Sequence, residues 1–117
     1  MTTQPTVEGA RALESYGSVR EWQFSFQNFW RTDGPPDSWK AALGRFAEQN
    51  GTDPDAIIDE VLKPAPAGEG LLLRTRARRK YVELVDDFER QEGRAAANAV
   101  RSFLIHNGIA MTPGILR

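Results

Sequence analysis

Breaker residues divide this chain into five stretches, and within each the apolar residues recur at intervals of three and four. The breaks are Thr32-Asp33-Gly34-Pro35-Pro36, Asn50-Gly51, the run from Lys63 to Gly70, Gly93, and Asn107-Gly108. Proline removes a ladder donor and clashes with the preceding turn, while glycine takes left-handed conformations that end helices. A chain divided in this way is confined to the all-α class, as a compact bundle of about five helices with short connections.

Each stretch carries its own start and stop signals. Ser18-Val19-Arg20-Glu21 reads as a capping box, followed by Val19, Trp22, Phe26, Phe29 and Trp30 as an aromatic stripe. Phe24 interrupts that stripe, and Trp22-Gln23-Phe24-Ser25-Phe26 also alternates like a strand; the capping box favours a helix. Asp37 or Ser38 is placed to cap a second helix with Trp39, Leu43, Phe46 and Ala47 on one face. Gly51 closes it, and Thr52-Asp53-Pro54 supplies a new cap with proline at the first helical position. The short third helix carries Ile57, Ile58, Val61 and Leu62, and Pro64 stops it.

The stretch from Lys63 to Gly70, with two prolines and two glycines, reads as a semi-flexible hinge loop. A longer helix is expected from Leu71 to Gln91, burying Leu73, Ala77, Tyr81, Leu84, Val85 and Phe88. The last helix runs from Arg94 to His106 with Ala96, Ala99, Val100, Phe103 and Leu104 inward. Asn107-Gly108-Ile109 has the form of a Schellman ending, with Ile109 folding back on Leu104. Residues 1–14 read as a flexible tail, 15–110 as the helical domain and 111–117 as a linker-like tail.

At 117 residues the chain has room for one hydrophobic core, and its 40% hydrophobic and 26% charged composition is that of an ordinary globular domain. It has no cysteine, which excludes disulfides, thiolate metal sites and thiol nucleophiles. The N-terminus lacks the pattern of a signal peptide and no segment is apolar enough to span a bilayer, so a cytoplasmic protein without membrane contact is expected.

Catalytic chemistry finds few candidates. The lone histidine, His106, falls in the last turn of a helix, where an imidazolium favours the negative end of the dipole. The carboxylate pairs Asp59-Glu60 and Asp86-Asp87 are adjacent in sequence, so on a helix they diverge by about 100° and cannot share a substrate. Gly68 and Gly70 follow no phosphate-binding pattern. The expectation is a binding protein rather than an enzyme, with no metal, cofactor or small-molecule substrate.

One cluster stands apart. Between positions 74 and 80 five residues are basic, namely Arg74, Arg76, Arg78, Arg79 and Lys80, and no acid follows until Glu83. The net charge is −1, so any attraction for nucleic acid has to arise from local clustering of this kind. Helical geometry puts Arg76, Arg79 and Lys80 on the outward face, with Arg74 and Arg78 flanking the apolar stripe. Basic residues fill the first half of this helix and acids the second, the reverse of what the macrodipole favours, at about 0.3–1 kcal/mol for each badly placed end charge. Two readings stand beside each other: contact with phosphates, or a solvated face in which Arg79 and Lys80 pair with Glu83. Arg94, Asn98 and Arg101 form a second polar stripe on the last helix, and two basic faces on a small bundle suit a clamp on duplex DNA.

The order of these motifs resembles the N-terminal core-binding, or SAM-like, domain of tyrosine recombinases of the phage-integrase type. The resemblance rests on Ser38-Trp39-Lys40 with Leu43 and Phe46, on Gly51-Thr52-Asp53-Pro54-Asp55 with Ile57-Ile58, and on a helix ending near Phe88. It continues through Ala99-Val100-Arg101-Ser102-Phe103-Leu104 and His106-Asn107-Gly108-Ile109, and spans residues 18–109. It implies a helical module that grips one side of double-stranded DNA in the integration or recombination of mobile elements. Catalytic residues in such proteins belong to a separate C-terminal domain, so a recombinase catalytic domain or other protein subunit is the implied partner. The rival reading is a helical protein-interaction or assembly module without nucleic-acid binding, using a partly exposed stripe of Trp22, Phe26, Phe29 and Trp30.

Overall fold

Five helices follow one another as the breaks predict: α1 (Gly17–Trp30), α2 (Asp37–Asn50), α3 (Pro54–Val61), α4 (Thr75–Glu92) and α5 (Arg94–His106). The computed structural model describes residues 13–64, 71–109 and 111. The expected tail up to residue 12, the hinge at residues 65–70 and the terminal stretch 112–117 lie outside the described residues. α5 is the central element, packing against α1, α2 and α4, while α3 bridges α1 and α4. The core between them is formed by Val19 and Trp22 of α1, Leu43 and Phe46 of α2, Ile57 and Val61 of α3, Tyr81, Val85 and Phe88 of α4, and Val100, Phe103 and Leu104 of α5.

Aromatic rings in this core meet edge to face, Trp22 on Phe103 at 5.7 Å and Phe46 on Phe88 at 5.3 Å. Burying the Trp22 indole leaves its N–H needing an acceptor, which Ser102 Oγ provides at 3.0 Å. Ala97 is wholly buried on α5, where the periodic reading had placed Ala96, which is only half-buried.

Three helix ends behave as their residues predict. The Asp53 carboxylate accepts from the Ala56 amide at 2.8 Å and Pro54 follows at the first helical position. Gly51, at φ 63°, ends α2 with paired bonds from Gly51 N to Glu48 O and from Thr52 N to Ala47 O. Gly108, at φ 96°, ends α5 in the Schellman form, with Ile109 N donating to Leu104 O at 2.9 Å and the Ile109 side chain buried.

Other expectations need correction. α1 starts at Gly17, one residue before Ser18, and its cap comes from α3: Asp55 accepts from Ser18 N at 2.8 Å, from Ser18 Oγ at 2.6 Å and from Gly17 N at 3.4 Å. A carboxylate from a packed neighbour satisfies these end amides better than a neutral hydroxyl of the helix itself. Pro36 holds the N-cap position of α2, and neither Asp37 nor Ser38 caps it.

Leu71–Leu73 is a strand, β2, paired antiparallel with β1 (Leu62–Pro64) in the register Leu62↔Leu73, Lys63↔Leu72 and Pro64↔Leu71. This short hairpin takes residues that periodicity assigned to the start of α4, because strand pairing satisfies backbone groups that a helix there would satisfy internally. Order also extends past both predicted boundaries. Leu13–Ser15 forms a 3-10 turn with Leu13 against the core, and Met111 is buried.

Candidate functional site

α4 begins where β2 ends. The Arg74 amide donates to the Val61 carbonyl at 2.7 Å, which makes Arg74 the N-cap of α4 in an extended conformation rather than a residue on its flank. No side chain caps this terminus, so its first-turn amides add their partial positive charge to the surrounding cations. Arg74, Arg76 and Arg79 are exposed there, and none of them enters a salt bridge among the described residues.

Arg78 and Lys80 differ from these three. Arg78 is half-buried. Lys80 Nζ lies 2.7 Å from Glu60 Oε2 of α3 and 5.1 Å from the centre of the Tyr81 ring, and neither it nor Arg79 forms an ion pair with Glu83. Glu60 Oε1 in turn accepts from the Tyr81 hydroxyl at 2.6 Å. The hydrogen bond from Lys80, followed by that from Tyr81, holds the Glu60 carboxyl below the usual carboxylate range. Burial, reinforced by the bond to Glu60, pushes the Tyr81 phenol up.

The second stripe is tied into the fold. Arg101 donates to Asp86 at 3.0 Å, to Glu89 at 2.8 Å and to Asn98 Oδ1 at 3.0 Å, and only 14% of its side chain is exposed. Its hydrogen bond holds the Glu89 carboxyl below the usual range. Arg94 is exposed beside the same Glu89, at 3.5 Å. Arg76 lies in the first turn of α4 and Arg94 just beyond its last, at the start of α5, so the two arginines are roughly 25 Å apart by the rise of the helix.

A groove of about 800 Å³ lies beside the second stripe. Phe26, Phe29, Trp30 and Trp39 are its aromatic lining and Asp86, Glu89, Arg94 and Arg101 are among its polar lining, with Ile105, His106 and Met111 also contributing. The aromatic stripe of α1 changes character along its length: Val19 and Trp22 are fully buried, whereas Phe29 is 65% and Trp30 57% exposed. Periodicity places all of these residues on one face but cannot say where the covering body ends.

His106 stands in this groove with Nδ1 2.7 Å from Ser25 Oγ and its ring 5.6 Å from Phe26 and 6.1 Å from Phe29. Burial among these groups lowers its pKa, which opposes the imidazolium expected at the helix end, and the ring ties α5 to α1. Among the described residues no three His, Asp or Glu side chains come together to hold a metal ion, and no helix is long and apolar enough to cross a membrane. Compared with known proteins, the chain matches no family model, no curated protein and no solved structure.

Proposed function

We propose that this chain is a non-catalytic DNA-binding module that holds duplex DNA through its backbone phosphates at the N-terminal end of α4. One observation carries the reading: an uncapped helix terminus is surrounded by three exposed arginines, Arg74, Arg76 and Arg79, none of them in a salt bridge among the described residues. The cations repel the positive end of the helix dipole and one another, and a phosphate relieves both costs. Arginine also meets phosphate oxygens through two parallel hydrogen bonds. The resemblance to recombinase core-binding domains points to the same ligand, and the chemistry of cleavage belongs to another domain or chain.

Arg78 extends this surface, while Lys80 serves chiefly to anchor Glu60. Arg94 and Asn98 are peripheral, and Arg101 is a structural tie between α5 and α4. Binding therefore depends on phosphate geometry with little reading of base edges.

Anisotropy of a fluorescent duplex, titrated at low and moderate salt, tests the proposal. The wild type is expected to bind weakly, with affinity falling steeply as salt rises. The Arg76→Ala/Arg79→Ala variant is expected to bind less tightly and to lose about one unit of the logarithmic salt slope for each arginine removed. Absence of binding by the wild type at low salt overturns the proposal. Lys80 is left intact in this variant because its removal also releases Glu60.

A further inference from the structure

The aromatic face of α1 runs on beyond the helices that cover it. Phe29 and Trp30 lie ring against ring at 4.9 Å, and Trp30 continues to Phe26 at 6.4 Å and thence to Trp39 at 6.1 Å. Ile105 of α5, 47% exposed, belongs to the same uncovered surface. The result is an aromatic wall flanking an open groove.

We infer that this face pairs with the same face of a second copy of the chain, giving a reversible two-fold dimer. Shape is the first reason. A projecting aromatic pair beside a cavity is self-complementary under a two-fold axis, since each copy can insert its wall into the groove of the other.

Charge is the second. The ionised residues lining the groove are Asp86, Glu89, Arg94 and Arg101, two of each sign, and they are already engaged with one another. Neither a polyanion nor a strongly basic segment gains by binding there, whereas an apolar surface of no net charge does.

Area is the third. Large aromatic side chains carry roughly 150–250 Å² each, so the exposed parts of Phe29, Trp30 and Ile105 sum to about 300 Å² of apolar surface per copy. That matches the size of patch on which a monomer's function commonly rests. Doubled, it gives about 600 Å² of apolar contact, short of what a stable dimer buries, which fits a weak association and not a permanent one.

Sedimentation equilibrium from micromolar to near-millimolar protein provides the test. The weight-average mass of the wild type is expected to climb reversibly from 13.1 kDa toward twice that value. The Phe29→Gln/Trp30→Gln variant is expected to dimerise at least about thirty-fold more weakly, as loss of central interface aromatics does. Its circular dichroism and thermal midpoint stay those of the wild type, because both side chains are largely exposed. The Arg76→Ala/Arg79→Ala variant associates like the wild type, which separates this interface from the DNA-binding surface. A wild type that stays monomeric throughout, or an aromatic variant that associates equally well, overturns the inference.

Discussion

Asp55 shows how much of this fold depends on single polar contacts between distant residues. It lies 37 positions from Ser18, whose amide and hydroxyl both donate to it, so one carboxylate caps α1 and fastens α3 to it. Asp55→Ala is expected to cost about 1–2 kcal/mol in urea unfolding, as loss of a helix cap and a charged hydrogen bond does. Ser18→Ala costs less, because Asp55 keeps the backbone amide. His106 responds to pH in a direction that its setting defines. Its folded pKa lies below the ordinary 6.5, so as pH falls through 6.5 the unfolded chain takes up the proton first and stability declines. That decline levels off once pH passes below the folded pKa. Unfolding measured between pH 7 and 5 should therefore show a loss in the wild type that is smaller in His106→Gln.

At the scale of elements, the junction between α3 and α4 joins strand pairing to a side-chain network. β1 and β2 bring α4 alongside α3, and Glu60 then receives both Lys80 and Tyr81. Removing one hydroxyl by Tyr81→Phe leaves the ring in place and should lower stability by about 1 kcal/mol. The Glu60 carboxyl loses one of two donors and titrates closer to its ordinary value of 4.5. Since its folded pKa is depressed, the stability it contributes is full above 4.5 and is lost as pH falls through the folded value. NMR titration of Glu60 in both proteins measures that change directly. The end of α5 offers a backbone counterpart: Gly108→Ala places a side chain at φ 96°, and a cost of about 1 kcal/mol or more in thermal unfolding is expected. The breaks that delimit the helices were legible in the residues themselves. β2 was not, because three consecutive leucines satisfy the apolar pattern of a buried helix end and of a short strand alike.

For the whole molecule, the residues that build the core and those proposed to bind DNA lie in different places. α5 packs against α1, α2 and α4, and Leu104 at its C-terminal end is completely buried. Leu104→Ala should cost about 2–5 kcal/mol, the range for a large cavity in a core that cannot collapse around it. Arg79→Ala, on an exposed surface, should change unfolding by no more than about 0.5 kcal/mol while weakening DNA binding. If instead Arg79→Ala destabilises the fold as much as Leu104→Ala, its side chain has a structural role and the phosphate reading loses its main support.

The residues by themselves determined the five helices, most of their ends and most of the inward face of each, because capping, glycine breaks and helical periodicity act over a few positions of chain. They also marked the basic run from Arg74 to Lys80 as unusual. Only the tertiary structure decided which basic side chains are paired within the fold. Arg101 is neutralised by Asp86 and Glu89 across a helix interface, and Lys80 by Glu60 from α3, whereas Arg76 and Arg79 face solvent. The same holds for the aromatic stripe, identical in pattern from Val19 to Trp30 but buried at one end and bare at the other. Pairing and coverage depend on atoms far apart in sequence, and local pattern carries no information about which distant groups the fold brings near.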